Sequence, residues 1–322
     1  VTIGDDYIAA TDTCNGPINA FSTPTLPEMA TSTKVNAVKS ALGAMTGSDF
    51  SAVNTAYAAA RRRQLQTAPA TSLKGKAEAS YAGCARWAAY NALYTDGSSP
   101  FYSAFTNFLD GFIQGAIDGT GSFAGLSTAD GRMEAVEKGV ADQLATMMML
   151  CALAGPAKDT TAGWDSAYSY YYGDTPSRAP YGRGNKRCAN YGTCMEDGVT
   201  AKTNQAILAA LTAGRAGAAA ADSTITAAQY AIVESQLMII YYQASLRYMF
   251  KMDLDVAAGG SAATRGNDHQ GEGWAFWRVI EPYVVAKTAD GSADFREANR
   301  TTTTYNTANE FSGVCGAGAC YC

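Results

Sequence analysis

Apolar residues recur along the chain at helical spacing, three and four positions apart, and the alternation typical of strands is nearly absent. This pattern predicts an all-α fold, in the form of a two-lobed helical bundle. Helices are expected at about 28–45, 49–63, 74–95, 100–119, 128–155, 160–173, 196–221, 226–253, 267–287 and 292–309. Several ends carry clear signals: Ser99 caps a helix with Pro100 at its first position, and Gly155-Pro156 and Gly173 end two others.

The stretch 174–195 interrupts this pattern. It contains two prolines, several glycines and the pair Cys188/Cys194, so we expect an irregular connector held by a disulfide. It would separate an N-terminal helical half, 1–173, from a C-terminal half, 196–310, with a cysteine-rich tail at 311–322. The sequences that open the two long central helices, at 133–137 and 232–234, are faintly alike, which indicates either an internal duplication or the common composition of alanine-rich helices.

Composition narrows the class of protein. The 322 residues are 47% apolar, enough for a large core, and only 16% charged, with a net charge of -5. A nucleic-acid partner is excluded, because phosphate binding needs a basic excess. The one basic run, at 61–63, is interpreted as a solvated helix end.

The cysteine count is even, which favours disulfides over free thiols. The eight cysteines are Cys14, Cys84, Cys151, Cys188, Cys194, Cys315, Cys320 and Cys322. Their spacings do not match structural zinc sites. Cys84 and Cys151 lie in apolar helical stretches and could be buried thiols or a pair. Disulfides, a start at Val1 without methionine, the sequon Asn299-Arg-Thr and the lack of an 18-residue apolar run together predict a mature secreted glycoprotein.

The single histidine, His269, lies in the sequence Asn267-Asp-His-Gln-Gly-Glu272. Asn267 and Gln270 have the spacing of a capping box at a helix start. His269 and Glu272 then share one helical face, and the helix dipole keeps the imidazole in its neutral, metal-binding form. The alternative is a hydrogen-bonded structural histidine.

Acidic residues within apolar helices are the second candidate set. Glu234 stands among isoleucines, leucine and methionine, in a helix that reads as apolar nearly all round, and Glu134 and Glu137 form a pair three residues apart. A buried carboxylate is paired, protonated or bound to a metal, so these acids are expected either to pair with Arg or Lys or to ligate.

The available donors favour a hard cation. Carboxylates and 19 tyrosines are plentiful, while one histidine excludes multi-histidine copper, nickel or zinc sites. Helical bundles that bind iron direct carboxylates, sometimes with a histidine, inward from several helices. No nucleophile elbow, P-loop or dinucleotide fingerprint is present. The tyrosines at 168 and 170–172 are interpreted as packing residues.

Three stretches resemble the iron-assimilating, high-CO2-inducible secreted proteins of green algae: GWDSAYSYYYG at 163–173, PYGRGNKRCANYGT at 180–193 and HQGEGWAFWRVIEPY at 269–283. The resemblance covers about 75–315. It implies an extracellular or periplasmic location, a part in iron uptake, and a link to phytotransferrin-type surface proteins. A fainter similarity to imelysin-like helical proteins brings their H-x-x-E motif onto His269 and Glu272, although Asn267 replaces the glycine usual in that motif.

These observations predict a non-enzymatic protein that captures iron, ferric or ferrous, alone or with a synergistic anion, and delivers it to a cell-surface receptor or transporter. His269 and Glu272 are the first candidate ligands. Glu234, Glu137 and Glu134 follow, with Asp268 and Glu281 as outer residues. The alternatives are a metal-dependent enzyme, either an imelysin-like peptidase or a ferroxidase, and an abundant surface protein without metal.

Overall fold

A computed structural model of the chain describes residues 28–59, 72–79, 81, 83–95, 107–124, 126, 128–259 and 267–289. Within these ranges the fold is all-α and no strand forms; an isolated β-bridge joins Cys194 and Ala201. The α-helices are α1 Ala30–Gly43, α2 Ser51–Ala58, α3 Leu73–Glu78, α4 Ala85–Thr95, α5 Asp110–Asp118, α6 Asp130–Lys138, α7 Ala145–Ala152, α8 Thr161–Tyr172, α9 Pro180–Tyr191, α10 Lys202–Ala219, α11 Ser223–Ala258 and α12 Asp268–Ala289.

Several predicted helix ends are confirmed, and local chemistry explains them. The Thr160 side chain accepts a hydrogen bond from the Gly163 amide at the start of α8, and Gly173 ends that helix with a φ of 65°. Gly119 ends α5 in the left-handed conformation. The start predicted at Ser99-Pro100, the helix predicted at 292–309, the basic run at 61–63, Asn299 and the tail at 311–322 lie outside the described residues.

Several predictions of secondary structure were wrong in part. The helix expected over 49–63 ends at Ala58, because Ala59 is extended. The helix expected over 74–95 is divided into α3 and α4, because Ala79 is extended and Gly83 takes a φ of 87°. The helix expected over 128–155 contains a π-helical segment, Gly139–Leu144, between α6 and α7. The stretch 174–195 is not irregular throughout, since α9 begins at Pro180, whose ring is tolerated in the first helical turn.

The described residues group into two compact units. Unit 1 draws on the described residues within Val1–Ala37, Ser80–Ala88 and Leu144–Ile240. Unit 2 draws on those within Val38–Ala79, Ala89–Gln143 and Tyr241–Cys322. Because each unit takes segments from several parts of the chain, neither is a single continuous stretch. The sequential division at 173 and 196 and the internal duplication stay predictions.

Unit 1 is built around α8, which packs against α7, α9 and α10. Its core includes Trp164, Tyr168 and Tyr171, all essentially inaccessible to solvent. Tyr168 and Tyr172 stack with ring centroids 5.6 Å apart, so the interpretation of the tyrosine cluster as packing is confirmed.

Two disulfides lie among the described residues of unit 1. Cys84 and Cys151, which the sequence left as either free thiols or a pair, form a disulfide. Cys188 pairs with Cys194, as expected for the stretch 174–195. Cys14, Cys315, Cys320 and Cys322 lie outside the described residues. No described helix is long and apolar enough to span a bilayer.

Unit 2 is organised by α12, which packs along α6, and α5 also contacts α6. The two glycines Gly131 and Gly271 allow α6 and α12 to approach closely, because a Cβ atom at residue 271 would lie 2.0 Å from the Gly131 carbonyl oxygen. Near this crossing, the aromatic rings of Phe112, Phe123 and Trp274 pack together with centroids 5.0–5.2 Å apart. The close approach brings the acidic residues of the two helices together.

A glycine in unit 1 provides a test of core packing. A Cβ atom at residue 214 would lie 2.2 Å from the buried Trp164 ring, so Gly214→Ala is expected to lower the free energy of unfolding by about 1–3 kcal/mol. Gly43→Ala is the matched control, because no atom lies within 4 Å of its added Cβ. Urea unfolding followed by tryptophan fluorescence measures both variants, and equal stability of the two would contradict this packing.

The two disulfides should contribute unequally, because they close loops of different length. Cys84 and Cys151 are 67 residues apart, and Cys188 and Cys194 are 6 apart. In the loop-entropy description, replacing the first pair by serine lowers the free energy of unfolding by about 4 kcal/mol and replacing the second by about 2 kcal/mol. Denaturant unfolding of the two double variants tests this order, and a larger loss for the second pair would refute it.

Candidate functional site

Three predicted acidic residues meet at the α6–α12 packing in unit 2, and a lysine lies among them. Lys138 Nζ lies 2.7 Å from Glu134 Oε2, 3.2 Å from Glu137 Oε1 and 3.3 Å from Glu272 Oε1. The Lys138 side chain is only 6% exposed, and those of Glu137 and Glu272 are 14% and 13% exposed. We call Glu134, Glu137, Glu272 and Lys138 the carboxylate cluster.

Helix geometry explains how the cluster forms. Glu134 and Lys138 are four residues apart on α6 and so lie on one face. Glu272 is on the first turns of α12, next to Gly271, where the two helices approach most closely. The carboxylate of Glu272 therefore reaches the same ammonium group from the neighbouring helix.

A second lysine borders the cluster. Lys39 Nζ, on α1, donates to Glu137 Oε1 at 2.6 Å, and its side chain is 35% exposed. Glu137 thus binds two ammonium groups through one oxygen atom. Together, the three carboxylates and two lysines carry one negative charge in excess.

Burial and neighbouring charges push two of the carboxyl groups in opposite directions. Burial tends to raise the pKa of Glu137, but the charge of Lys138 and the hydrogen bond and charge of Lys39 lower it to about 2. Burial raises the pKa of Glu134; Lys138 opposes this change, while the negative charges of Glu272 and Glu137 add to it. The cluster therefore stabilises the charge of Glu137 and disfavours that of Glu134.

The π-helical segment that follows Lys138 carries a buried polar network. Asp142 Oδ1 accepts from the Tyr241 hydroxyl at 3.2 Å, and Gln143 Nε2 donates to the Ala275 carbonyl oxygen of α12 at 3.0 Å. Arg278, also on α12 and fully buried, donates to the Phe108 carbonyl oxygen. A π-helical segment turns its side chains out of the regular helical register. Here Gln143 of this segment contacts both Ala275 and Arg278 of α12.

The first-choice ligand His269 is engaged elsewhere in unit 2. Its Nδ1 lies 2.7 Å from Asp255 Oδ2 and its Nε2 lies 2.9 Å from Lys251 Nζ. Because an ammonium group can only donate, Nε2 accepts from Lys251 and Nδ1 donates to Asp255, which leaves the ring neutral. Asn267 caps α12 as predicted, its Oδ1 accepting from the Gln270 amide at 2.8 Å.

The motif pair His269 and Glu272 thus has two different sets of partners. The imidazole faces Asp255 and Lys251 of α11, whereas Glu272 faces Lys138 of α6. Of the outer candidates, Asp268 has a side chain 59% exposed, with Oδ2 3.9 Å from His269 Nε2, and Glu281 is fully buried.

Glu234 belongs to unit 1 and does not join the cluster. Its carboxylate pairs with Arg86 of α4. The Glu234 side chain is only 17% exposed, as expected for a carboxylate within an apolar helix, although Ile232 and Ile239 of the same helix are about 40% exposed. Two alternatives were expected for Glu234 and Glu137, ion pairing or metal ligation. In the structure, both residues form ion pairs.

Sequence reasoning missed the cationic partners. The spacing of Glu134 and Lys138 is a recognisable i,i+4 ion pair and could have identified Lys138. Lys39 and Glu272 are distant from Lys138 along the chain, and no local pattern indicates that they meet at Glu137 and Lys138.

Among the described residues, no three His, Cys, Asp or Glu side chains are arranged to hold a metal ion. The oxygen atoms of the carboxylate cluster surround a nitrogen atom at 2.7–3.3 Å, whereas a small divalent cation holds carboxylate oxygens at about 2.0–2.2 Å. A metal ion in place of Lys138 Nζ would therefore require these side chains to move inward. The ligand roles predicted for these residues stay predictions.

Comparison of the chain with protein-family models, with curated proteins and with solved structures gives no match.

The opposite pKa changes of Glu137 and Glu134 predict opposite effects of matched substitutions. Glu137→Gln should lower the free energy of unfolding at neutral pH by about 2–3 kcal/mol, because it removes a carboxylate whose charge the fold stabilises. This contribution is complete above the unfolded pKa of 4.5 and is lost as the pH falls toward 2, so the difference from the unsubstituted protein should shrink in that range.

Glu134→Gln should leave the free energy of unfolding at neutral pH unchanged or higher, because the folded protein disfavours the charge of Glu134. Any gain relative to the unsubstituted protein should appear as the pH rises above 4.5, where the unfolded Glu134 ionises. Urea unfolding across the acidic range compares the two variants, and equal losses in both would contradict the electrostatic assignment.

Proposed function

We propose that this chain is an extracellular protein that binds iron as cargo and passes it on without turnover. The observation that carries the proposal is the convergence of Glu134, Glu137 and Glu272 on one buried cationic position. Carboxylate oxygens are hard donors, the type that suits ferric and ferrous iron in helical proteins. Iron, rather than another hard cation, is chosen because of the resemblance to the algal iron-assimilating proteins.

The charge of the cluster also supports cation binding. With one negative charge in excess, the group gains more from a multivalent cation than from a single ammonium. His269 supplies a further potential donor nearby in sequence, since its neutral ring is oriented by Asp255 in the way that carboxylates orient metal-binding histidines. Its recruitment would require Lys251 to leave Nε2.

An extracellular location is supported by the two disulfides of unit 1, because such bonds persist in oxidising compartments. In this proposal, a synergistic anion and a receptor or transporter at the cell surface would complete the capture and delivery of iron.

The second candidate is a surface protein that binds no metal. It is favoured by the ion pairing of the predicted acids, since Glu134, Glu137 and Glu272 contact Lys138 and Glu234 contacts Arg86. In that case the cluster serves stability alone.

Iron stoichiometry distinguishes these candidates. The metal-free full chain is incubated with Fe2+ under anaerobic conditions, or with citrate-held Fe3+ and bicarbonate, then dialysed and analysed for metal. We expect about one iron per chain, lost in the Glu134→Gln, Glu137→Gln, Glu272→Gln variant. The exposed Glu196→Gln is the control and should retain iron.

The other outcomes are equally informative. No retained iron under any of these conditions would refute the proposal and favour the metal-free protein. Two irons per chain would instead indicate a ferroxidase, because that reaction uses paired metals about 3.5–4 Å apart. Loss of iron in His269→Ala as well would add His269 to the ligands.

A further inference from the structure

The longest described helix, α11, has an exposed side on which none of the described side chains is charged. Its exposed residues are serine, threonine, alanine, isoleucine, tyrosine, phenylalanine and leucine. The charged residues of α11 are all at least partly buried; they are Glu234, Arg247, Lys251, Asp253 and Asp255. A helix that faces water normally carries its charged residues on the exposed side. We call this exposed side of α11 the uncharged face.

The uncharged face contains several large apolar side chains that are 38–52% exposed: Ile225, Ile232, Ile239, Tyr242, Phe250 and Leu254. The three isoleucines are seven residues apart, which is close to two helical turns, so they lie in a line along the helix. Scattered exposed apolar residues are ordinary, but a continuous apolar face is typical of a surface that binds another protein.

The uncharged face is complementary to itself when two copies of α11 pair in antiparallel orientation. Reversal about the midpoint of the 36-residue helix places each exposed small residue of its first half opposite a large residue of its second half. The opposed positions are Ala227 with Leu254, Ala231 with Phe250, and Ser235 with Leu246. At the centre, Ile239 lies opposite Tyr242. Large side chains set against small ones allow two helices to interdigitate.

We infer that the uncharged face of α11 binds the same face of a second copy of this chain, in an antiparallel pair related by a twofold axis. Twofold dimers with one shared surface are the commonest homo-oligomers. Each chain carries a net charge of -5, and pairing through a face without exposed charge brings no like charges into contact. The inference is independent of iron binding, because it uses no residue of the carboxylate cluster.

The size of the uncharged face is sufficient for a reversible dimer. A helix of 36 residues is about 54 Å long and about 10 Å wide, so full overlap covers about 500 Å² on each copy. The sum of about 1,000 Å² is at the lower end of specific interfaces. We therefore expect a dimer with a Kd of about 1–100 μM rather than a permanent one.

Sedimentation equilibrium of the metal-free full chain tests the dimer. Between about 1 and 300 μM, the range that brackets this Kd, the mass should rise from the 33.7 kDa of one chain toward twice that value. A mass that stays at one chain throughout would overturn the inference, and would indicate that another part of the chain or a different partner covers the face.

A charge placed at the centre of the uncharged face tests whether the dimer uses it. Ile239→Lys should raise the dimer Kd by about a hundredfold or more, because pairing would bury an ammonium group without a partner. Val199→Lys is the matched control, since Val199 is 66% exposed and lies outside α11, and it should leave the Kd unchanged. Both positions are exposed, so urea unfolding should show equal stability for the two variants.

An exchange of large and small residues tests the antiparallel register. Ala231→Phe should weaken the dimer about tenfold by placing two large rings opposite each other, and Phe250→Ala should weaken it similarly by leaving a gap. The double variant restores a large residue opposite a small one and should recover a Kd near that of the unsubstituted chain. In a parallel pair each residue meets its own copy, so the double variant would be weaker than either single variant.

Three results would overturn the inference. These are a monomer at every concentration, a dimer as tight in Ile239→Lys as in Val199→Lys, or a double variant whose Kd shows no recovery. Each is measured without metal, so none of them bears on the proposed binding of iron, and a failure of iron binding leaves the dimer untouched.

Discussion

One buried ammonium group, Lys138 Nζ, holds three carboxylates from two helices within 3.3 Å, and this contact joins α6 to α12 in unit 2. Buried charges are tolerated only when they are paired, so α6 and α12 can bring Glu134 and Glu272 together only with a cation between them. The Gly131–Gly271 approach makes the contact possible, because any larger residue would separate the two helices. Packing and electrostatics therefore specify the same helix pairing.

The stability of this arrangement depends on each buried charge keeping its partner. Ion pairs that are buried contribute little net stability when intact, yet their rupture is costly because it leaves charges without partners. Three carboxylates buried this close together therefore require a cation among them. The carboxylate cluster carries an excess negative charge, and its neighbours change the pKa values of Glu134 and Glu137 in opposite directions.

His269 occupies a comparable but separate position. Its ring lies between the Asp255 carboxylate and the Lys251 ammonium group, so Nδ1 donates to the first and Nε2 accepts from the second. Tyr248 packs nearby, with ring centroids 5.9 Å apart. In both places a lysine contacts a residue predicted as a ligand: Lys138 contacts Glu272, and Lys251 contacts His269.

The sequence by itself determined the all-α class, most helix ends and the presence of buried acids, because helical spacing, caps and composition are local properties. It missed α9 and the π-helical segment, since Gly184 fits against Asn204 and Gly139 against Ile113 only through contacts distant in sequence. Only the tertiary structure decided that Cys84 bonds to Cys151, and that Glu272 faces Lys138 rather than sharing a site with His269. The partners in these disulfides and ion pairs lie far apart in the sequence, and packing between helices brings them together. A local sequence pattern therefore cannot predict them.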